Sequence, residues 1–499
     1  MISRQGSQLI TFIIYVILAR LLSPREFGLI AMVMVFGRFA YIFAEMGFAG
    51  ALIQKQDLEQ EQSSSVFWLN IMVGLLLMLG FMSAAPVIAT FYREPLLLKL
   101  TMFVSVAYFV YSFGIVQRAL MKKALNFRTI SLVNIIADGT SGIVSIVMAC
   151  LGFGVWSLAG FVVLRAIITS FLLWQKSSWR PSFLFKRKSI KSLLGFSSSL
   201  FGTQVLNYSK RNFDKLLIGR FLGTSALGIY DRAYSIMMFP LVSISRIITN
   251  VLFPALSLIR GDDQRTRNIY LRTTRGVAFF TFPMMLGLFV VSDSFVYAVL
   301  GQKWAGMIPI LRIFCFLGLI SSVLTFNGSL YLSQGRADLQ FKVGLFLKLN
   351  TIFWIILGLK WGIIGVAIGC SIAALFNFYP SFFFAGRLVN LSFLAFLRNF
   401  SGVFLCSFVM ALLVWGISLV LPASWPQWVF LAVQVPFGML VYAAAVHLSG
   451  VDAYLDIRRL LYEQWKLRTR EKNEYKAKKG DGYNVLRNDE REKRCVGSP

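Results

Sequence analysis

The sequence predicts an all-α polytopic membrane protein of about fourteen transmembrane helices, arranged as two six-helix lobes related by pseudo-symmetry plus two extra helices. Three observations carry this prediction. Hydrophobic residues make up 57% of the 499 residues and charged residues only 14%, whereas about a quarter of a soluble domain is charged. Apolar runs of roughly 17–25 residues, the length that crosses a bilayer, recur from end to end. Short motifs also repeat in the same order about 200 residues apart, which indicates two similar lobes.

The apolar runs divide the chain into four parts. Residues 1–192 form an N-terminal lobe of six spans, and residues 193–390 form a C-terminal lobe of six more. Residues 391–451 hold two additional spans, and residues 452–499 form a charged tail. The predicted spans are 7–22, 27–50, 66–91, 96–117, 130–151, 154–175, 193–222, 226–254, 274–300, 306–332, 341–359, 362–386, 399–421 and 427–448.

The charges between the spans predict an orientation. With the N-terminus in the cytoplasm, the inward loops carry about twenty Lys and Arg and the outward loops about five, as the positive-inside rule requires. We therefore expect a multi-pass protein of the bacterial inner membrane with both termini cytoplasmic. Every outward loop is short, which leaves little room for the external active site that a membrane glycosyltransferase or ligase needs.

Composition argues against several functions. His447 is the only histidine, so His-based metal or triad chemistry is nearly excluded, and the five cysteines show no metal-site spacing. The net charge of +28 is dispersed over membrane loops, so we expect no nucleic-acid partner. The sequence has no Gly-x-x-x-x-Gly-Lys-Ser/Thr phosphate loop. We predict a non-enzymatic protein without a cofactor or metal.

The internal repeat starts near the N-terminus. The segment ARLLSPREFGLIAM at 19–32 aligns with GRFLGTSALGIYDR at 219–232, so that Gly28 falls on Gly228. Both copies begin with a helix that leaves the cytoplasm, and the two repeats are therefore parallel. Parallel repeats predict a transporter whose pathway runs between two lobes.

One predicted span is unusually rich in charge. The stretch YSKRNFDKLLIGRFLG at 208–223 carries Lys210, Arg211, Lys215 and Arg220 with one acid, Asp214. A charge inside a span is costly and usually faces a wet cavity or a partner. Residues four apart share a helix face, which places Lys210 with Asp214 and Arg211 with Lys215. Either these cations line an anion path, or Asp214 neutralises Lys210 or Lys215 during insertion.

Other charged residues lie in the N-terminal spans. Arg38 and Glu45 are seven residues apart on the second span and therefore share a face. Arg118 ends the fourth span, where it either belongs to the site or snorkels to the inner surface. Asp138 lies in the middle of the fifth span, either as a proton or cation site or in an interhelical hydrogen bond.

Other charged residues and several tryptophans are interpreted as structural rather than as part of a site. Arg165 stands alone in the sixth span. Asp231 and Arg232 are expected to pair at the rim of the eighth span. Four tryptophans are typical of a belt at the outer membrane interface; they are Trp304, Trp361, Trp425 and Trp428.

Five segments resemble those of a known family: LARLLSPREFGLIAM (18–32), MGFAGALIQ (46–54), RNFDKLLIGRFLGTSALGIYDRAY (211–234), FPALS (253–257) and GQKWAGMIPILRIF (301–314). They are similar to the polysaccharide exporters of the multidrug/oligosaccharidyl-lipid/polysaccharide superfamily, and specifically to lipid-linked O-antigen and colanic-acid type flippases. The resemblance implies a V-shaped pair of lobes around a cationic cavity. That cavity would accept the pyrophosphate and sugars of an undecaprenyl-linked repeat unit and move it by alternating access.

The resemblance also implies roles for the charged residues. The residues expected to bind substrate are Lys210, Arg211, Lys215, Arg220, Arg38 and Arg118. Those expected to tune charge or carry a coupling ion are Asp214, Asp138 and Glu45. The expected partners are a lipid-linked oligosaccharide, membrane lipids, a polysaccharide polymerase and glycosyltransferases, with the chain itself a monomer. Two alternatives stay open, namely a cation-coupled multidrug antiporter of the same superfamily and a membrane polysaccharide polymerase or ligase.

Overall fold

The computed structural model describes residues 2–45, 47–422 and 424–456, together with Arg458, Arg459, Tyr462, Glu463 and Lys466. The side chains of residues 2–5, 187–200, 202–211, 246–247 and 250–251 are not part of this description. Two predicted site residues, Lys210 and Arg211, have their side chains in these ranges and therefore lie outside the described residues.

Every regular element in the described part of the chain is a helix. The α-helices are α1 (Ile2–Leu21), α2 (Pro24–Glu45), α3 (Phe48–Gln54), α4 (Gln60–Tyr92), α5 (Leu96–Ser112), α6 (Ile115–Lys123), α7 (Phe127–Cys150), α8 (Val155–Lys176), α9 (Arg187–Leu258), α10 (Asp263–Val290), α11 (Ser292–Phe295), α12 (Ile308–Leu324), α13 (Asn327–Ser333), α14 (Ala337–Gly358), α15 (Gly362–Arg387), α16 (Phe393–Val420) and α17 (Gln427–Ser449). A π-helical turn (Val296–Leu300) and two 3-10 turns (Gln302–Met307 and Leu359–Trp361) complete the set.

The helices agree with a polytopic membrane protein. Among the described residues, 9 helical segments are long and apolar enough to cross a membrane, and the pair α5 and α6, bent by 43°, counts as one more. Each of the fourteen predicted spans overlaps a helix, with α9 covering the seventh and eighth. The all-α polytopic class is therefore confirmed, while the number fourteen stays a prediction.

The longest helix, α9, is two helices joined at one glycine. A continuous helix of 72 residues would be about 108 Å long, far more than the roughly 30 Å of a bilayer core. Gly223 leaves helical geometry with φ 86° and ψ −177°, a left-handed region that favours glycine because it has no Cβ. The break divides α9 into residues 187–222, here α9a, and residues 224–258, here α9b. Contacts between residues on either side of Gly223 show that the two halves fold against each other.

The helices pack in two groups that meet along α2 and α9. In the first half of the chain, α1 packs on α7, α4 on α5, and α8 on both α5 and α7. In the second half, α12 packs on α10 and α15, α14 on α15, and α16 on α10 and α17. The largest buried core includes residues of both groups. This packing fits the predicted lobes, whose boundaries remain a prediction.

The backbones of the two lobes approach each other closely at a pair of glycines. A methyl group on Gly28 would lie 1.8 Å from the carbonyl oxygen of Thr224, and one on Gly228 would lie 1.9 Å from that of Pro24. Both distances are far below van der Waals contact, so only glycine fits. The repeat aligns Gly28 with Gly228 and Pro24 with Thr224. We call this reciprocal backbone contact the outer contact.

The prediction that Trp304 belongs to a belt at the outer membrane interface is wrong. Trp304 is fully buried, and its indole Nε1 donates to the carbonyl oxygen of Ala19 at 2.7 Å. Its ring meets the edge of Phe27 at 5.4 Å. The loop before α12 folds inward and places Trp304 between the lobes. The other three predicted belt residues are exposed; they are Trp361, Trp425 and Trp428.

Candidate functional site: a charged cavity between the lobes

A cavity of about 520 Å³ separates the first lobe from α9. Helices α1, α2 and α8 form one wall, and α9a and α9b form the other. Among the residues whose side chains the structure describes, four cations line it: Arg38, Arg165, Lys215 and Arg232. A small recess beside it shares three of these residues and adds Asp231. We call this space the interlobe cavity.

One carboxylate holds two cations on the wall formed by α9. Asp231 accepts from Nζ of Lys215 at 2.6 Å and from Nη2 of Arg232 at 2.7 Å. The fold of α9 at Gly223 brings Lys215 opposite Asp231. All three side chains are largely buried, with 12%, 12% and 19% exposed for Lys215, Asp231 and Arg232. We call these three residues the C-lobe cluster.

This geometry corrects two expectations. Lys215 is paired, but its partner is Asp231 rather than Asp214. Asp231 and Arg232 do pair, yet they lie in the wall of the cavity and not at a rim. The reason in both cases is the break at Gly223, which sets how α9a and α9b lie side by side.

Arg232 also connects the two lobes. Its guanidinium carbon lies 4.8 Å from the ring centre of Tyr15 and 4.9 Å from that of Phe27. Both rings belong to the first lobe, on α1 and α2. A guanidinium within about 6 Å of an aromatic face is attracted to it. Arg232 is therefore occupied by one carboxylate and two rings.

Asp214 faces away from the interlobe cavity. Its Oδ2 accepts from the hydroxyl of Tyr230 at 2.8 Å, and its Oδ1 has no hydrogen-bond partner among the side chains that the structure describes. It lines a separate cavity of about 700 Å³ within the second lobe, together with Lys348. Among the described residues, no carboxylate lies within 4 Å of Lys348. Asp214 is thus placed to act on this inner cavity rather than on the interlobe cavity.

A second carboxylate lies behind the opposite wall of the interlobe cavity. Asp138 on α7 is fully buried, and its Oδ2 accepts from the hydroxyls of Ser7 and Thr11 on α1. Its Oδ1 lies 2.5 Å from Nε of Arg165 on α8. Of the two alternatives left open for Asp138, the interhelical hydrogen bond is present, and Arg165 is not alone. We call Asp138 and Arg165 the N-lobe pair.

Arg38 is a cation of the cavity that has no acidic partner among the described residues. It is exposed and lines both the cavity and the recess. No described carboxylate lies within 4 Å of it. Its positive charge is therefore available to an anion in the cavity.

The structure does not bring every predicted site residue to the cavity. Glu45 accepts from the hydroxyl of Tyr111 at 2.7 Å, and Arg118 donates to Asn134 at 3.4 Å, both inside the first lobe. Arg220 lies 5.5 Å from the ring centre of Phe91 on α4. Arg220 lies more than one helical turn beyond Lys215, next to the break in α9. Because of this position, its side chain points toward α4.

Three residues of the cavity were not predicted as site residues, namely Arg165, Asp231 and Arg232. Each is an ionisable residue inside an apolar span, and such residues need a partner or a wet cavity. The sequence also indicated that Asp138 needs a partner, because a buried acid requires a nearby cation. Pairing the isolated acid with the isolated arginine would have found the N-lobe pair.

Comparison with known proteins identifies the family. The family model described as polysaccharide biosynthesis protein matches residues 17–309. The chain belongs to this family. The match begins in the last turns of α1 and includes α2 to α11, and therefore the four cavity cations, whereas most of α1 precedes it.

Relatives and structures agree with this membership. The chain is 31% identical over 388 residues to the teichuronic acid biosynthesis protein TuaB of Bacillus subtilis, covering 76% of this chain and 80% of the relative. It is 30% identical over 377 residues to the lipopolysaccharide biosynthesis protein WzxC of Escherichia coli, covering 74% and 75%. A lipid II flippase MurJ structure in an inward closed conformation has the same fold, with TM-score 0.73 and 19% identity over 91% of this chain and 98% of that one. The chain is thus a multi-pass membrane protein of polysaccharide biosynthesis, with the fold of a transporter rather than of an enzyme.

Proposed function

We propose that the chain is a flippase that moves undecaprenyl-pyrophosphate-linked oligosaccharide repeat units across the bacterial inner membrane for surface polysaccharide biosynthesis. The charge of the interlobe cavity carries this proposal. Its described walls hold the four cations named above against two carboxylates, Asp138 and Asp231, which leaves two positive charges uncompensated. A pyrophosphate is anionic, and Arg and Lys bind phosphate oxygens through charge-assisted hydrogen bonds.

The same charge balance disfavours a multidrug antiporter. A cavity that accepts organic cations would carry an excess of acids, whereas this one carries an excess of cations. The names of TuaB and WzxC, both polysaccharide biosynthesis proteins, and of MurJ, a lipid II flippase, support the same choice. We therefore assign an anionic, glycan-bearing lipid as the substrate class.

Closure at one end of the cavity supports alternating access. Besides the outer contact, Arg20 donates to the carbonyl oxygen of Ala298, and Trp304 donates to that of Ala19. With the N- and C-termini in the cytoplasm, as the loop charges predict, this closed end faces outward. In this orientation, the substrate enters the cavity from the cytoplasmic side.

Individual roles follow from position within this scheme. Arg38 and Lys215 contact the headgroup directly, with Lys210 and Arg211 extending the same helix toward the cytoplasm. Glu45 tunes the charge of the first lobe, whereas Arg118, expected from the sequence to bind substrate, contacts Asn134 inside that lobe. The remaining assignments are Arg220 as a distal cation and Asp214 and Asp138 as charge-tuning or coupling-ion residues.

The chain works as a monomer in the inner membrane, because the pathway lies between two lobes of one chain. Glycosyltransferases must supply its lipid-linked substrate on the cytoplasmic side. A polysaccharide polymerase must consume the product on the other side.

Complementation of a bacterium that lacks its own polysaccharide flippase tests the proposal. The wild-type chain should restore surface polysaccharide, and Arg38→Ala should leave lipid-linked repeat units accumulated in the cell at unchanged protein level. Arg336→Ala is a matched control, because Arg336 is a surface cation paired with Asp338 at 3.2 Å, away from the cavity. Failure to complement several such strains, together with drug resistance on expression, would favour the antiporter.

A further inference from the structure

We infer that Asp138 is a positioning residue: it holds Arg165 so that the guanidinium presents its two Nη groups to a phosphate in the interlobe cavity. This inference rests on the proposed function and adds Arg165 to the substrate site. It replaces the role of charge tuning or ion coupling for Asp138.

The first step concerns the buried carboxylate. Asp138 is fully buried, and a buried charge is costly unless it is paired. The hydroxyls of Ser7 and Thr11 satisfy Oδ2, whereas Oδ1 receives no hydrogen bond. Among the described residues, Arg165 is the one cation within 4 Å of that carboxylate. Asp138 therefore depends on Arg165 for its counter-charge, and this dependence keeps Nε of Arg165 close to it.

The second step concerns the free part of Arg165. Its side chain is 45% exposed and lines the interlobe cavity. The ion pair with Asp138 runs through Nε, and neither Nη atom donates a hydrogen bond to any residue in the described part of the chain. A guanidinium fixed through Nε leaves the two Nη groups as a planar fork, which matches two oxygens of a phosphate.

The third step compares Arg165 with the other arginine of the cavity that is held by a carboxylate. Arg232 uses Nη2 for Asp231 and is stacked between two rings, with 19% of its side chain exposed. Arg232 therefore lacks the two free Nη groups that could bind two oxygens of a phosphate. Nε of Arg232 has no hydrogen-bond partner but is buried, so of these two arginines only Arg165 presents its free donors on a half-exposed side chain.

A binding experiment separates positioning from charge tuning because the two roles predict opposite signs. The full chain in lipid nanodiscs is titrated with undecaprenyl pyrophosphate, with neutral undecaprenol as the reference ligand. If Asp138 only tuned charge, Asp138→Asn would make the cavity more positive and tighten binding of the pyrophosphate. If Asp138 positions Arg165, Asp138→Asn should weaken binding by about threefold to tenfold, and Arg165→Ala by about tenfold to a hundredfold.

A charge exchange keeps the test decisive if a single variant does not fold. Asp138→Arg with Arg165→Asp retains an ion pair and should retain the folded protein, but it places an acid at the cavity, so binding should stay lost. Recovery of wild-type affinity in this double variant would show a purely structural pair and overturn the inference. Tighter or unchanged binding in Asp138→Asn would also overturn it.

The control is a similar pair elsewhere in the molecule. Arg312 donates to Asp293 and Ser292 away from the interlobe cavity, so Asp293→Asn should leave pyrophosphate binding unchanged. A wild-type chain that binds undecaprenyl pyrophosphate no better than undecaprenol would overturn both the proposed function and this inference. Wild-type binding combined with a tighter Asp138→Asn variant would overturn this inference alone.

Discussion

The two lobes hold their cavity cations in different ways. In the first lobe, Asp138 holds a single arginine, Arg165, whose side chain is 45% exposed to the cavity. In the second lobe, Asp231 is shared between Lys215 and Arg232, which are only 12% and 19% exposed. The N-lobe pair is open to a ligand, whereas the C-lobe cluster is covered.

The aromatic rings of the first lobe cause this difference. Tyr15 and Phe27 stack on Arg232 and thereby tie the C-lobe cluster to the opposite lobe. In the present structure, the first lobe therefore presents Arg38 and Arg165 to the cavity, whereas Arg232 of the second lobe is engaged with the opposite lobe. Separation of the lobes would expose Arg232 and exchange these roles, which gives alternating access a physical basis.

Removal of the shared carboxylate should have the largest effect. Asp231→Asn leaves Lys215 and Arg232 buried without a counter-charge, and breaking a buried ion pair costs about 3–5 kcal/mol. We expect a strong loss of folded protein, measured by size-exclusion chromatography and thermal unfolding in detergent. Asp138→Asn should lose less folded protein than Asp231→Asn, because the side chain of Arg165 is half exposed and can reach water. Equal losses in the two variants would remove the distinction between a covered cluster and an open pair.

Enlargement of the glycines at the outer contact should have the next largest effect. Gly28→Ala and Gly228→Ala each place a methyl group under 2 Å from a carbonyl oxygen of the other helix, and such overpacking costs about 1–3 kcal/mol. Both should favour separated lobes and raise labelling of a cysteine introduced at Trp304 by an impermeant thiol reagent. Gly276→Ala is the control, since nothing lies within 4 Å of its added methyl. Unchanged labelling in both glycine variants would rule out this contact as the closure.

Loss of one stacked ring should have a smaller effect. Tyr15→Leu removes one of the two rings on Arg232, and a partly desolvated cation–π contact contributes about 1 kcal/mol. The same thiol labelling should rise by about fivefold, and Tyr15→Phe should retain the wild-type level because the ring remains. If Tyr15→Phe behaved like Tyr15→Leu, the hydroxyl rather than the ring would hold Arg232.

A surface ion pair should show the smallest effect and sets the baseline for these comparisons. Arg336 and Asp338 are 50% and 56% exposed and lie 3.2 Å apart; ion pairs at the surface contribute little to stability because water screens them. Asp338→Asn should leave thermal unfolding and export within error of the wild type. A loss comparable to that of Asp138→Asn would mean that removal of any acid destabilises this chain.

The sequence was sufficient for the class of fold and for the type of cavity. The lengths and positions of the apolar runs predicted where the helices lie, and the internal repeat aligned the two glycines that meet between the lobes. The partner of Lys215 was not predictable from helical spacing, because it depends on the angle at which the chain leaves Gly223. The same applies to Arg220, which the end of α9a turns toward α4.

Long-range packing explains the other differences. Trp304 has the composition of an interface residue, yet its loop folds between the lobes, and no local pattern indicates that. Arg165 and Asp138 are 27 positions apart, and only the packing of α8 on α7 brings them together. The numbers of acidic and basic residues in the spans predicted an excess of cations. Which of these cations reach the cavity depended on contacts between helices.

Photo-crosslinking in living cells tests the central claim most directly. A benzoylphenylalanine at Val16, which lines the interlobe cavity, should crosslink to radiolabelled lipid-linked repeat units, and Arg38→Ala with Arg165→Ala should abolish this product. The same group at Leu440 on α17, which is 71% exposed on the outer surface, should give little product. Strong crosslinking at Val16 that depends on the two arginines is the result we predict. Equal crosslinking at both positions, or a product that survives loss of both arginines, would contradict a headgroup path through the charged cavity.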